Sequence, residues 1–465
     1  MDNGPVTTST ARTRPGVPRG RWVLAVLVIA LAATPAALHY LVFWPLDQWQ
    51  VDLDVYRSAG VSILTGRPVY GTLTEPPQLL PFTYPPFAAF LALPLAFVPF
   101  GVAGWLWTAL QVLATTLVVW YAGQRMLRAA GPWVPLALAL VTAPMIWMHP
   151  VSDGIRFGQV NAFLVLACTL DMVAPRPSVL RRVPRGVLIG LAMAVKLTPG
   201  VFLIHFLVTR RWREAATVVA TAAAATLLSA VLLPSASWAF WLGALQDSDR
   251  LGPNAGTANQ SIRGFLLRTG LDGPVGDVVW VLAVLVVGVL GFALARRMYL
   301  RGDPVAEVAV VGLLACLLSP VAWIHHYHWV VVVVLALLGA RPWLDRRRAV
   351  AGLAVLGFFL LRLPWWGIDW LAQPWPSWPG RVLQNADVFG GLAALALLWW
   401  VARGPVDPDE TTDGTDETDG RGGRGDAGDD AAVQEGRDAR PDTHTVAGVD
   451  PGSDAAPAPG RRVLG

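Results

Sequence analysis

Long apolar runs alternate along the chain with short connectors in which arginine is the dominant charged residue. A hydrocarbon core of about 30 Å takes roughly 20 apolar residues to cross as a helix. Residues 22–44 meet that requirement first. Arg12, Arg14, Arg19 and Arg21 precede this run, which predicts a cytoplasmic N-terminus. The run is long for the apolar part of a cleaved signal peptide, and no clear small-residue cleavage site follows it, so it is expected to be the first membrane helix. Later apolar runs cover residues 87–126 (broken at 99–101), 133–148, 162–173, 186–208, 215–233, 275–294, 304–318, 329–338, 350–361 and 388–401. Several are shorter than a full span. Lipid tolerates such pieces where protein or trapped water satisfies the freed backbone groups, which suits tilted or broken helices lining a cavity.

Arginine clusters at 125/128, 176–185, 210–213, 296–301 and 346–348 mark the cytoplasmic side. Two of them flank 186–208, so that run is expected to enter and return, with its break near Lys196, Leu197, Thr198 and Pro199. The bookkeeping predicts an all-α polytopic membrane protein of about 10–12 transmembrane helices with both termini inside. It divides the chain into a cytoplasmic basic N-terminus (1–21), a transmembrane domain (22–402) and a tail (403–465). The tail is rich in Asp, Gly, Thr, Ala and Pro with almost no large apolar residues, so it is expected to be disordered and cytoplasmic. The segments 48–83, 150–161, 234–274, 320–328 and 364–385 fall outside as loops.

Composition agrees with this frame: 54% of residues are hydrophobic and 15% charged, against roughly 25% charged in soluble domains. The net charge of +4 combines arginine connectors with an acidic tail and gives no case for nucleic acid as a partner. Cys168 and Cys316 both lie in apolar runs, which speaks against a disulfide framework or a metal site. The 22 tryptophans suit the lipid–water boundary, where indoles collect.

Polar residues with chemical potential gather in the outer loops. Asp52 and Asp54 open the first, in Val51-Asp52-Leu53-Asp54-Val55-Tyr56. A carboxylate at this boundary is either a general base with a raised pKa or a helix N-cap. The loop ends in Pro81-Phe82-Thr83-Tyr84-Pro85-Pro86-Phe87, a rigid helix entry. In the second loop Gln159 and Asn161 can hydrogen-bond sugar hydroxyls and Arg156 can meet a phosphate, or all three cap and snorkel. Lys196, the only lysine, lies within an apolar run and needs a partner such as a lipid phosphate, or must snorkel. Asn259, Gln260 and Arg263 form another amide and guanidinium set, and His325, His326 and His328 stand at a helix entry. The histidine spacing fits a metal site poorly, so no metal is expected and hydrogen bonding is favoured.

In this order the stretches 51–56, 81–87, Gly-Gln-Val-Asn at 158–161, Lys-Leu-Thr-Pro at 196–199, Asn-Gln-Ser at 259–261 and Ser-Pro-Val-Ala-Trp-Ile-His-His at 319–326 resemble the actinobacterial polyprenol-phosphate-mannose-dependent α-(1→2)-mannosyltransferases. These form glycosyltransferase family 87 of the membrane-embedded C-type superfamily. The resemblance spans most of the chain outside the tail. It implies a C-type bundle with an outer-face, periplasmic active-site cavity in the plasma membrane and no cofactor. The donor would be a polyprenyl-phosphate-linked mannose and the acceptor a glycolipid of the phosphatidylinositol mannoside or lipomannan type, both drawn from membrane lipid. The family's catalytic aspartate falls on Asp52, with Asp54 as the competing carboxylate and His325 and His326 as further catalytic candidates. Tyr56, Tyr84, Arg156, Gln159, Asn161, Lys196, Asn259, Gln260, Arg263 and His328 are the expected substrate contacts. The implied reaction inverts a β-linked sugar phosphate to an α-(1→2) linkage. Two rivals stay open: a same-fold arabinofuranosyltransferase, and a transporter of lipid-linked sugars, which a repeat between chain halves would favour and which the one-sided polar residues disfavour.

Overall fold

The computed structural model describes residues 17–39, 49–173, 175–339 and 345–404, and there the apolar runs are helices. Among the described residues there is no β-strand, only isolated bridges pairing Leu73 with Pro81 and Asn259 with Trp323. Most of the basic N-terminus, the end of the first apolar run and the tail after residue 404 lie outside the described residues.

Helix α1 (Arg19–Leu38) exposes Val23, Val26, Leu27 and Leu31, as a lipid-facing helix does. The indole of Trp147 ties it down by donating to the Ala32 carbonyl at 2.9 Å. A short helix, α2 (Val51–Leu64), precedes α3 (Pro86–Leu91) and α4 (Phe100–Ala122). Phe100 begins α4 with Pro99 as its N-cap, so the break expected at 99–101 is present. After α5 (Gln124–Arg128), α6 (Val134–Trp147) turns sharply into α7 (His149–Phe157), the bend measuring 74°. Residues 150–157, expected as a loop, are therefore helical and almost wholly buried. Pro150 is tolerated because it sits in the first turn, where its missing N–H has no helical partner to lose.

Then come α8 (Asn161–Met172), α9 (Val187–Val195) and α10 (Val201–Val208). Between the last two, Lys196 is extended and Thr198–Gly200 form a 3₁₀ turn, where the break was expected. The chain continues through α11 (Trp212–Leu232), α12 (Pro234–Ala239), α13 (Ile262–Arg268), α14 (Gly273–Leu300) and α15 (Pro304–Leu317). A 3₁₀ segment, Ile324–Trp329, leads into α16 (Val330–Leu338). Two bent pairs close the fold: α17 (Arg346–Leu360) with α18 (Leu363–Leu371), and α19 (Ser377–Gln384) with α20 (Ala386–Val401). The segments 234–274 and 364–385, expected as loops, thus carry short helices. Among the described residues four helices are long and apolar enough to cross a bilayer, or up to seven if each bent pair is one span. The chain is a multi-pass membrane protein.

Helices α15, apart from Glu307, and α16 are apolar all round and almost wholly buried, so they form the centre of the bundle. By contrast α14 turns Val275, Val278, Leu282, Leu285 and Val289 outward. Helix α8 rises only about 18 Å at 1.5 Å per residue, with Asn161 at one end and Asp171 near the other. The Asp171 end is closed by charge: its carboxylate accepts from the Gly186 and Ile189 N–H groups at 2.8 and 3.1 Å and from Arg176 at 3.2 Å. Nearby in space, where Arg211 also reaches Met172, His205 meets Glu307 at 2.8 Å and Arg211 meets Glu307 at 3.7 Å.

Candidate active site

The other end of the bundle is built around the start of α2. Gln50 precedes it in the left-handed region (φ 52), and its amide donates to the Thr108 hydroxyl and the Ile155 carbonyl, both at 3.0 Å. Its backbone N–H donates to the Arg156 carbonyl at 3.0 Å. Gly158, at φ 70, lies against this knot; a Cβ there would come within 2.7 Å of the Gln50 amide and 2.8 Å of Leu53. Only glycine fits the conformation and the gap. The result sets Asp52 against Gln159.

Asp52 is the second helical residue, and the N-cap makes no side-chain cap bond. The N-cap alternative therefore does not describe it. Its Oδ2 accepts from the Gln159 amide at 2.6 Å. Gln159 Oε1 in turn accepts from the hydroxyls of Tyr56 at 3.3 Å and Tyr84 at 3.2 Å, which lie 3.0 Å apart. Burial pushes the Asp52 carboxyl above the usual carboxylate range, against the opposing pull of His325, Gln159 and Lys196. Burial and the nearby Asp52 charge raise Tyr84 as well, which keeps it a neutral donor.

Tyr84 joins this group to the lone lysine, whose Nζ lies 5.2 Å from the ring centre. Lys196 donates to Asn161 Oδ1 at 3.1 Å and lies 2.8 Å from His326 Nε2. Asn161 is oriented by donating to the His325 carbonyl at 2.9 Å, and His326 Nδ1 accepts the Trp323 N–H at 3.2 Å. Beside these residues is a small cavity, of about 10 Å³, lined by Asn161, Thr198, Pro199, Cys316, His326 and Trp329. The snorkelling alternative for Lys196 is not what the side chain does, since it ends among polar partners inside the protein. His325 packs its ring against Phe157 and His326.

Other candidates stand elsewhere. Asp54 is half-buried, its carboxyl raised by burial and opposed by Arg57, and it makes no bond to the Gln159 group. Residues two apart on a helix point to different faces, which separates it from Asp52. Asn259 and Gln260 are fully buried with their amides engaged internally. Asn259 donates to the Asn254 carbonyl and accepts from the Ser261 and Ala322 N–H groups. Gln260 donates to the Thr257 and Gln384 carbonyls. They fasten 254–261 to the 320–324 corner and α19 rather than facing the cluster. His328 turns to the Thr115 hydroxyl at 3.2 Å, within the bundle. Arg263 pairs with Asp277, lies 5.5 Å from the Trp280 ring centre, and lines a separate open pocket with residues 252–255. Arg156 is buried, stacked 4.7 Å from the Phe157 ring centre.

Gln50, Thr108, Gln111 and Asp153 complete the surroundings and were not singled out from sequence. With its amide turned to donate, Gln111 reaches the carbonyls of Gly154 and Gln159 at 3.0 and 3.1 Å. A signal was available for α7: His149, Asp153 and Arg156 recur at helical spacing.

The described helices thus form a multi-pass bundle with an ionisable cluster at one end. Residues 82–320 match the model of glycosyltransferase family 87. A Mycobacterium tuberculosis protein named polyprenol-phosphate-mannose-dependent alpha-(1-2)-phosphatidylinositol mannoside mannosyltransferase is 36% identical over 398 residues, covering 82% of this chain and 89% of that protein. Its namesake in Mycolicibacterium smegmatis is 35% identical over 378 residues, covering 76% and 82%. A Mycobacterium tuberculosis protein named for phosphatidylinositol pentamannoside is 32% identical over 405 residues, covering 85% and 91%. No solved structure matches the chain significantly. The chain belongs to glycosyltransferase family 87 and is a membrane glycosyltransferase.

Proposed function

We propose that the chain transfers mannose from polyprenyl-phosphate mannose to the 2-hydroxyl of a phosphatidylinositol mannoside, forming an α-(1→2) linkage on the outer face of the membrane. The observation that carries the reading is the half-buried Asp52 carboxylate, held by one amide and facing Lys196 and His325. Donor and acceptor class rest on the names of the relatives. Sidedness rests on the arginines: Arg176, Arg185 and Arg211 sit at the Asp171 end, which the positive-inside rule makes cytoplasmic, so the Asp52 end faces outward.

In this mechanism Asp52 removes the proton of the acceptor hydroxyl as that oxygen attacks the anomeric carbon. The sugar–phosphate bond breaks and its electron pair settles on the phosphate. Lys196, with His326 and His325, stabilises the growing negative charge in a site where little water can do so. Gln159 orients the base, and the hydroxyls of Tyr56 and Tyr84 fix Gln159. Asn161 holds Lys196 in place.

The test is to incubate membranes containing the protein with radiolabelled polyprenyl-phosphate mannose and phosphatidylinositol mannoside acceptors. A labelled glycolipid that releases mannose to an α-(1→2)-specific mannosidase supports the reading. Protein present without labelled product, or arabinofuranose transferred in place of mannose, overturns it.

A further inference from the structure

Asp153, on α7, is 3% exposed, and its Oδ1 has no hydrogen-bond partner. Its Oδ2 stands 3.7 Å from Nδ1 of His325, beyond hydrogen-bond range. His325 is 6% exposed, and neither of its ring nitrogens has a partner. A buried carboxylate and a buried imidazole facing each other with unmade bonds require an explanation, because buried polar groups in folded proteins are normally satisfied. Neither group lacks neighbours of the right kind. Arg156 Nη1 stands 3.8 Å from Asp153, and His149 on the same helix accepts from the Trp365 indole at 3.1 Å. Asp387 on α20 lies near Asp153, and Asp52 on α2 adds its carboxylate near both Asp153 and His325. His325 thus lies between two carboxylates, one at the edge of the proposed reaction centre and one behind it.

We infer that Asp153 is a positioning residue for the leaving phosphate: with donor bound, it takes the Nδ1–H of His325 and so turns Nε2–H toward the phosphate oxygen. This rests on the glycosyl-transfer reading above. The chemistry adds no step. The bond from the anomeric carbon to the phosphate oxygen breaks with its electrons on that oxygen, the acceptor oxygen forms the new bond, and the acceptor proton goes to Asp52. His325 contributes a hydrogen bond to the oxygen whose charge grows. A carboxylate behind an imidazole sets which nitrogen faces forward and holds the ring there, as it does behind histidines in metal sites and hydrolases.

The experiment uses the full chain in membranes or detergent, with polyprenyl-phosphate mannose and a phosphatidylinositol mannoside. Steady-state transfer is measured for wild type, Asp153→Asn, Asp153→Glu, His325→Ala and the Asp153→Asn/His325→Ala pair at matched abundance. Loss of an orienting partner typically costs about 10–100-fold. We expect Asp153→Asn to lower kcat by that range with donor KM little changed, and Asp153→Glu to recover part of it. In the His325→Ala background Asp153→Asn should cost nothing more, because its route of action is already gone. A purely structural role predicts the same further loss in both backgrounds, and that result, or wild-type kcat in Asp153→Asn, overturns the inference. If Asp153→Asn does not accumulate, Asp153→Glu alone and combined with His325→Ala gives the same comparison. Wild-type protein without transfer would instead remove the underlying reading, so the two failures are distinct.

Discussion

Asp171 and Asp52 are carboxylates at opposite ends of one short-helix bundle, and they are treated in opposite ways. Asp171 is 1% exposed, and both its oxygens are engaged, one by two backbone N–H groups and one by Arg176. Glu307 beside it is similarly clamped by His205 and Arg211. Around Asp52 the bonding is incomplete: one neutral amide donates to it, and nearby Asp153 and His325 keep unpartnered atoms. A fully bonded buried ion pair is strongly disrupted by losing one partner. A partly bonded cluster has capacity left for a ligand. The Asp171 end is a closed anchor, and the Asp52 end is the proposed site.

The contrast predicts opposite mutational outcomes. Asp52→Asn should lower transfer by about 10²–10⁴-fold, the usual contribution of a general base. It should not lower the thermal midpoint. Because folding raises the Asp52 pKa, the native state binds that proton more readily than the unfolded chain, so ionised Asp52 weakens the fold as pH rises through the native value. Asparagine removes that penalty. A midpoint well below wild type would erase the distinction between the two ends.

Asp171→Asn should do the reverse. Breaking a buried pair costs about 3–5 kcal/mol, so abundance in membranes and the thermal midpoint should fall. Transfer per folded molecule, normalised by gel filtration of the solubilised protein, should stay at the wild-type level. A stable Asp171→Asn protein without activity would place a functional group at the closed end.

A milder effect should appear in the pH profile. The base must be ionised, so kcat/KM is lost as pH falls through the Asp52 pKa, and the raised direction puts that acid limb above the ordinary carboxylate value of about 3.9. Asp54→Asn should leave the limb where it is. The smallest effect is expected from removing everything after Gly404. Arg301 still holds the Ala402 and Gly404 carbonyls at 3.3 and 3.0 Å, so transfer in isolated membranes should be unchanged.

Hydrophobic patterning made the helices legible, along with the break at 196–199 and the one at 99–101, because apolar run length and proline act locally. The short helices at 149–157, 363–371 and 377–384 were not, since polar, proline-bearing segments read as loops; the first is buried by its neighbours, whereas the other two stay largely exposed. Family resemblance brought Asp52, Gln159, Asn161 and Lys196 onto one candidate roster, and the structure brings these four together with Tyr56, Tyr84 and the histidine corner. Asn259 and Gln260 carried the same chemical signal as Gln159. Their amides are engaged by carbonyls and N–H groups supplied from residues as distant as Gln384 and Asp387, which no local pattern reveals. Gln50 and Asp153 were missed for the same reason: their importance lies in partners contributed by α4, α7 and the 324–329 segment.

The central claim is that Asp52, and not Asp54, accepts the acceptor proton. Mannosyl transfer from polyprenyl-phosphate mannose, measured side by side for wild type, Asp52→Asn and Asp54→Asn at matched membrane abundance, tests it most directly. The geometry predicts a loss of about 10²–10⁴-fold for Asp52→Asn and a much smaller one for Asp54→Asn. Full activity in Asp52→Asn, or the reverse order of the two variants, would contradict it.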